Sequence, residues 1–176
     1  VDPASGQCEA VLTDFVRPNG LAFNADETRL YVADTGRTHF ADGPKHIRVF
    51  TVGPGYALSG GAVFADCDVG LFDGFRVDAL GRVWTSAGDG VHCYAPSGAL
   101  LGKLLLPERA ANLVFGGATG CDLFVCATSA GYRVRLAADG ASSSASMNAA
   151  DAVTPASGAV PPSSRRQARR GCGPVR

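Results

Sequence analysis

A strand–turn–strand unit occurs three times in the first 137 residues, and it restricts the fold more than any single motif does. The first copy runs Asn19-Gly20-Leu21-Ala22-Phe23, a polar turn, then Arg29-Leu30-Tyr31-Val32-Ala33-Asp34. The second runs Asp73-Gly74-Phe75-Arg76-Val77, a turn, then Arg82-Val83-Trp84-Thr85-Ser86. The third runs Asn112-Leu113-Val114-Phe115-Gly116-Gly117, a turn, then Asp122-Leu123-Phe124-Val125-Cys126-Ala127. The openings are 54 and 39 residues apart, a spacing that suits sheets repeated around a shared axis with loop insertions. Each copy opens on an amide or an acid immediately before an apolar run. In a propeller the first strand of each blade lines the central channel, so the three polar openings are expected to converge at one mouth of it.

The segments between these units read as strands too. Ile47-Arg48-Val49-Phe50 and Gly90-Val91-His92-Cys93-Tyr94 are rich in β-branched and aromatic residues. Turn formers separate them, among them Asn24-Ala25-Asp26-Glu27, Asp78-Ala79-Leu80-Gly81 and Ala95-Pro96-Ser97-Gly98. No amphipathic helix of useful length is visible, and only Leu104 to Asn112 is ambiguous, with Pro107 inside it. The fold class expected for residues 1–137 is all-β, a partial propeller of about three blades. Three blades cannot close a ring, so open strand edges are expected, and self-association could run through them.

Residues 138–176 contain no Phe, Trp, Tyr, Leu or Ile and end in the run Arg165-Arg166-Gln167-Ala168-Arg169-Arg170. With almost nothing to bury, this tail is expected to be disordered. Its five arginines against Asp139 and Asp151 give +3, read as a solvated tail in preference to a nucleic-acid or targeting patch. Net charge over the whole chain is zero, so nothing global draws it to nucleic acid or an anionic membrane. No apolar stretch approaches the roughly 18 residues of a spanning helix, and no basic region with an apolar core suggests a secretory leader. The chain begins at Val1, already inside patterned sequence, which raises the expectation of an upstream part. Cys8, Cys67, Cys93, Cys121, Cys126 and Cys172 form no CxxC pair or zinc-ribbon spacing. Cys93 and Cys126 are expected to pack as small hydrophobes in strands, as in a reduced, cytoplasmic protein.

Two motifs can carry chemistry: Arg17-Pro18-Asn19-Gly20-Leu21 and Phe72-Asp73-Gly74-Phe75-Arg76. If the openings converge, the Asn19 amide oxygen and the Asp73 carboxylate suit a hard cation such as calcium or magnesium. Asn-Gly and Asp-Gly are also ordinary turn dipeptides, and the residues alone leave both readings open. Asp34 and Thr35 are read as loop residues, and Asn112 as a strand-start cap. His39, His46 and His92 have no HxH or HExxH spacing. No Gly-x-Ser-x-Gly elbow occurs, and Tyr31, Trp84 and Phe115 are expected in the core.

The stretches Arg17 to Phe23, Leu30 to Gly36, His46 to Phe50, Asp73 to Asp78, Val83 to Tyr94 and Asn112 to Gly117 together resemble the SMP-30/gluconolactonase/regucalcin-like family. The resemblance runs from Asp2 to Leu136 and covers the carboxy-terminal half of that family's pattern. It implies a six-bladed propeller with a divalent cation in the channel, calcium foremost, with zinc, manganese or magnesium as alternatives. It implies that Asn19 is a metal ligand and that Asp73 is both a ligand and the general base. The expected reaction is hydrolysis of a small-molecule lactone. Phe72 stands where the family has proline, which bears on how the loop aims Asp73. The family's glutamate ligand and further substrate contacts belong to earlier blades, outside this sequence. Two other readings stand beside the lactonase: a propeller serving as a binding module, and a non-catalytic fragment.

Overall fold

In the computed structural model, which describes residues 4–137, each repeated unit forms a hairpin at the inner side of a meandering sheet. The first sheet contains β1 (Pro18–Phe23), β2 (Arg29–Asp34), β3 (His46–Val52) and β4 (Leu58–Asp66). The second contains β5 (Phe75–Val77), β6 (Val83–Ala87), β7 (Gly90–Tyr94) and β8 (Leu100–Leu105). The third contains β9 (Ala110–Gly116), β10 (Asp122–Ala127) and β11 (Gly131–Arg135). Within every sheet the strands are hydrogen-bonded in chain order and antiparallel. Among the described residues helix is confined to two single 3-10 turns, Gly36–Thr38 and Pro54–Tyr56. The ambiguous Leu104 to Asn112 stretch resolves into the end of β8, a turn containing Pro107, and the start of β9. Proline cannot donate to a ladder, so it belongs in that turn.

The sheets stack through two cores. Tyr31, Ile47, Phe72, Phe75, Val83 and Tyr94 fill the space between the first and second sheets. Trp84, Val91, Cys93, Leu113, Leu123 and Val125 fill the space between the second and third. This explains a pattern in the sequence. All five residues of β6 and all five of β7 are buried, because the second sheet is covered on both faces and needs no polar side. Strand β10, covered on one face only, alternates from Leu123 onward. Burial of each large side chain in these cores is worth roughly 1.5–3 kcal/mol.

The two outer faces differ. On the first sheet, Leu30, Val32 and Phe50 are covered by Leu12 and Phe15 from the segment before β1, but Leu21 and Phe23 are exposed. On the third sheet, Val114 and Phe124 are exposed. Cys126 is exposed as well, contrary to the expectation that it packs inside: Val125 takes the inward position on β10 and the alternation turns Cys126 out. Cys93 behaves as expected. It is buried, and burial pushes its thiol up to about 12, while burial pushes Cys67 up to about 11. Such thiols are inert neutral hydrophobes at ordinary pH. The five described cysteines are all free. Strand β4 was not legible in the sequence. Its Gly60 and Gly61 adopt φ of +88° and +93° near two irregularities in its pairing with β3, which break the two-residue period. Among the described residues no helix is long and apolar enough to cross a membrane. The Arg-rich tail and Cys172 lie outside the described residues.

Candidate active site at the strand openings

The three polar openings sit side by side, and glycine is the reason they can. An ideal Cβ on Gly20 would overlap the Asp73 carbonyl oxygen and stand 3.1 Å from its carbonyl carbon. A Cβ on Gly74 would overlap Asn112 Oδ1 and stand 2.9 Å from Asn112 Cα. The backbone of each opening is therefore seated directly against the next one. Neither glycine is needed for its φ; both are needed for the close approach. Asn19 and Asn112 are exposed and Asp73 is partly buried, so all three reach solvent from adjacent strands.

Asp73 is held by its backbone. Its N–H donates to Ser86 Oγ at 3.1 Å. The following Gly74 N–H donates to the Ala111 carbonyl at 2.8 Å, and the Gly74 carbonyl accepts from Ser86 N–H at 3.0 Å. Among the described residues, nothing donates a hydrogen bond to the Asp73 carboxylate and no cation pairs with it. The other buried or half-buried aspartates contrast with this. Asp34 accepts the N–H groups of Val16, Arg17 and Gly36 at 2.9–3.1 Å. Asp78 takes Arg82 and Trp84 Nε1, and Asp122 takes Arg133 and Arg135. Those carboxylates are occupied with structure, whereas that of Asp73 is available.

Ser86 carried no signal in the sequence, since a serine late in an apolar strand looks like a tolerated polar substitution. Its part in fixing Asp73 emerges only when β6 is laid beside the 67–74 loop. Ser86→Ala is expected to cost about 1–2 kcal/mol in stability, as for loss of one buried hydrogen bond. It should also loosen Asp73, which thermal unfolding together with hydrogen exchange at the Asp73 amide would measure.

Thr35 lies in the loop after β2 as expected, whereas Asp34 is the last residue of β2, paired with Pro18 and His46. Thr35 donates its N–H to the Arg17 carbonyl at 2.9 Å, and with the Asp34 bonds this fixes the chain entering Asn19. Phe72 is fully buried, with ring centroids 6.4 Å from His92 and 5.8 Å from Tyr94. Phenylalanine in the place of the family's proline therefore anchors the Asp73 loop by packing.

Below Phe72 lies a charged network. His92 is fully enclosed, its Nε2 2.6 Å from Asp89 and its Nδ1 3.5 Å from Asp68. Lys103 Nζ donates to Asp68 at 2.6 Å and to Asp89 at 3.2 Å. Its ammonium holds the Asp68 carboxyl below its ordinary range. For Asp89, burial pulls upward but is outweighed by hydrogen bonds from His92 and Lys103, so its pKa is also lowered. The aspartates raise that of Lys103. A lowered carboxylate adds stability above its unfolded pKa near 4 and loses it as pH falls further; a raised lysine adds stability below about 10 and loses it above. Lys103→Met is thus expected to cost roughly 1 kcal/mol between about pH 4 and pH 10. In urea unfolding across pH, the gap from the parent chain should close at either end. His92 serves this network and not the mouth. His46 lies 3.8 Å from Asp66, away from the openings.

The donor set at the mouth fits a hard cation. It offers one carboxylate and amide oxygens, with two glycines leaving the backbone room to draw them together, and calcium accepts such irregular oxygen sets completed by water. Among the described residues there is no group of three or more His, Cys, Asp or Glu that could hold a metal ion.

Comparison with known proteins identifies the lineage. Residues 1–130 match the SMP-30/Gluconolactonase/LRE-like region. The chain belongs to this family. A gluconolactonase of Zymomonas mobilis is 29% identical over 139 residues, covering 74% of this chain and 38% of that protein. A solved gluconolactonase of Xanthomonas campestris is 36% identical with a TM-score of 0.65, over 72% of this chain and 40% of that one. A calcium-binding regucalcin of Agrobacterium tumefaciens shares the fold with a TM-score of 0.58 at 24% identity, over 68% of this chain and 41% of its own. The chain thus spans about two fifths of the length of these relatives. Its three antiparallel sheets correspond to part of their propeller-type fold.

Proposed function

We propose that this chain carries part of the active centre of a divalent-metal-dependent hydrolase that opens sugar lactones. The observation that carries the reading is the Asp73 carboxylate, without a protein partner among the described residues, on a backbone that rests against Gly20, the residue after Asn19, in a member of this family. Calcium is the favoured ion because the donors are hard oxygens of low total charge. In the full assembly the ring has six blades, of which the described residues supply three, and a glutamate ligand comes from the remainder.

Asn19 and Asp73 would hold the ion through their side-chain oxygens. The Asp73 carboxylate takes the proton of the attacking water. Ser86 and the Ala111 carbonyl fix the backbone from which that carboxylate projects. When bound, the cation supplies polarisation of the lactone carbonyl and stabilisation of the charge that develops on its oxygen. Ring opening transfers the water hydroxyl to the carbonyl carbon, and the released alkoxide takes up a proton. The test is proton release from glucono-1,5-lactone, with calcium and with chelator, by the parent chain and by Asp73→Asn. Calcium-dependent turnover that the substitution removes supports the proposal. Turnover no faster than spontaneous hydrolysis in the parent chain overturns it for this polypeptide.

A further inference from the structure

We infer that Asn112 is a third oxygen donor to the ion at the mouth, beside Asn19 and Asp73. The inference rests on the metal reading of that mouth and extends it to the third sheet. Asn112 is not the strand-start cap expected of it: it lies inside β9, two residues after Ala110 and paired with Cys126. Its Oδ1 lies against Gly74, the residue next to Asp73, where a Cβ would have to be. The Ala111 carbonyl immediately before it accepts the Gly74 N–H at 2.8 Å. The side chain is therefore carried on the same hydrogen bond that fixes the Asp73 loop. Oδ1 accepts one hydrogen bond, from Leu113 N–H at 2.8 Å, which leaves a second lone pair. The residue is exposed and not sealed in a core.

The arrangement has an internal logic. Gly20 yields space to Asp73, and Gly74 yields space to Asn112, so two glycines draw three oxygen-bearing residues into one arc. The series ends at the third unit, where Leu113 stands in the glycine position and is buried in the second core. Nothing beyond Asn112 in the described residues requires room there. An arc of one carboxylate and two amide oxygens, completed by water, gives calcium more of the oxygens it needs than the pair alone.

The test uses the full chain labelled with nitrogen-15, following the side-chain amide signals of Asn19 and Asn112 as calcium is added. Manganese is then substituted to broaden signals close to the ion. The expected result is that both amides shift with one midpoint and both are broadened. Asn112→Ala should weaken calcium binding by about tenfold, with the urea midpoint lowered only by the loss of the hydrogen bond from Leu113. Asn112→Asp, which keeps the oxygen and its hydrogen bond to Leu113, should bind at least as tightly and guards against a folding defect. A response at Asn19 without one at Asn112, or unchanged affinity in Asn112→Ala, overturns this inference and leaves the metal reading intact. No response at either amide at millimolar calcium overturns both.

Discussion

Asp73→Asn is expected to lower calcium-dependent lactone hydrolysis by about 10³-fold, the scale of losing a positioned base that also serves a metal. The substitution keeps the size of the side chain and one oxygen donor, but it removes the charge and the proton acceptor. Stability should move by no more than about 0.5 kcal/mol, as for a surface change that breaks no network. That expectation follows from the structure: the Asp73 carboxylate has no protein partner among the described residues, and its position is set through its backbone. The same change at Asp34 would turn one of the two oxygens that accept the Val16, Arg17 and Gly36 N–H groups into a donor and should destabilise the loop. The contrast separates an acid kept for chemistry from one kept for architecture. Proton-release assays paired with urea unfolding would read both quantities. A fall in activity matched by an equal fall in stability would show that Asp73 is structural after all. A propeller used only for binding would keep its partner in Asp73→Asn.

Phe72→Ala should be the most destabilising single change near the site, at about 3–5 kcal/mol. Against the 5–15 kcal/mol of a typical domain this is a large fraction. Phe72 is completely buried between the first two sheets, edge-on to Tyr94 and His92. Truncation would leave a void there and remove the packing that seats residues 67–74. Asp73 is the next residue, so turnover should fall with stability. Phe72→Leu, which restores most of the volume, should recover most of both. Trp84 is the only tryptophan in the chain and is buried in the adjoining core, so its fluorescence reports unfolding directly. A loss under 1 kcal/mol would show that the loop is held by its hydrogen bonds alone.

These two positions show how differently the sequence speaks about fold and site. The apolar runs opening at Asn19, Asp73 and Asn112 announce their hairpins, because a strand's two-residue period and its flanking turns are local properties. Tyr31 and Trp84 fall in the core as expected for bulky residues at strand centres. Cys126 does not, because the composition of a run cannot say which parity faces inward when only one face is covered. Phe72 was noticeable only as a departure from proline, and nothing local told that it would be wedged against β7. Ser86 was silent altogether.

The sequence by itself determined an all-β chain of repeated hairpins, each opening on an oxygen-bearing residue, and the family to which such openings belong. Only the tertiary structure decided that Gly20 rests against Asp73 and Gly74 against Asn112. It also decided that Ser86, 13 residues from Asp73, supplies the bond that fixes it, and that Lys103 reaches back to Asp68 across 35 positions. Periodicity records which side of a strand avoids water. Which distant residue meets a given backbone group depends on how whole sheets stack and in what register, and that is settled by packing among all of them at once.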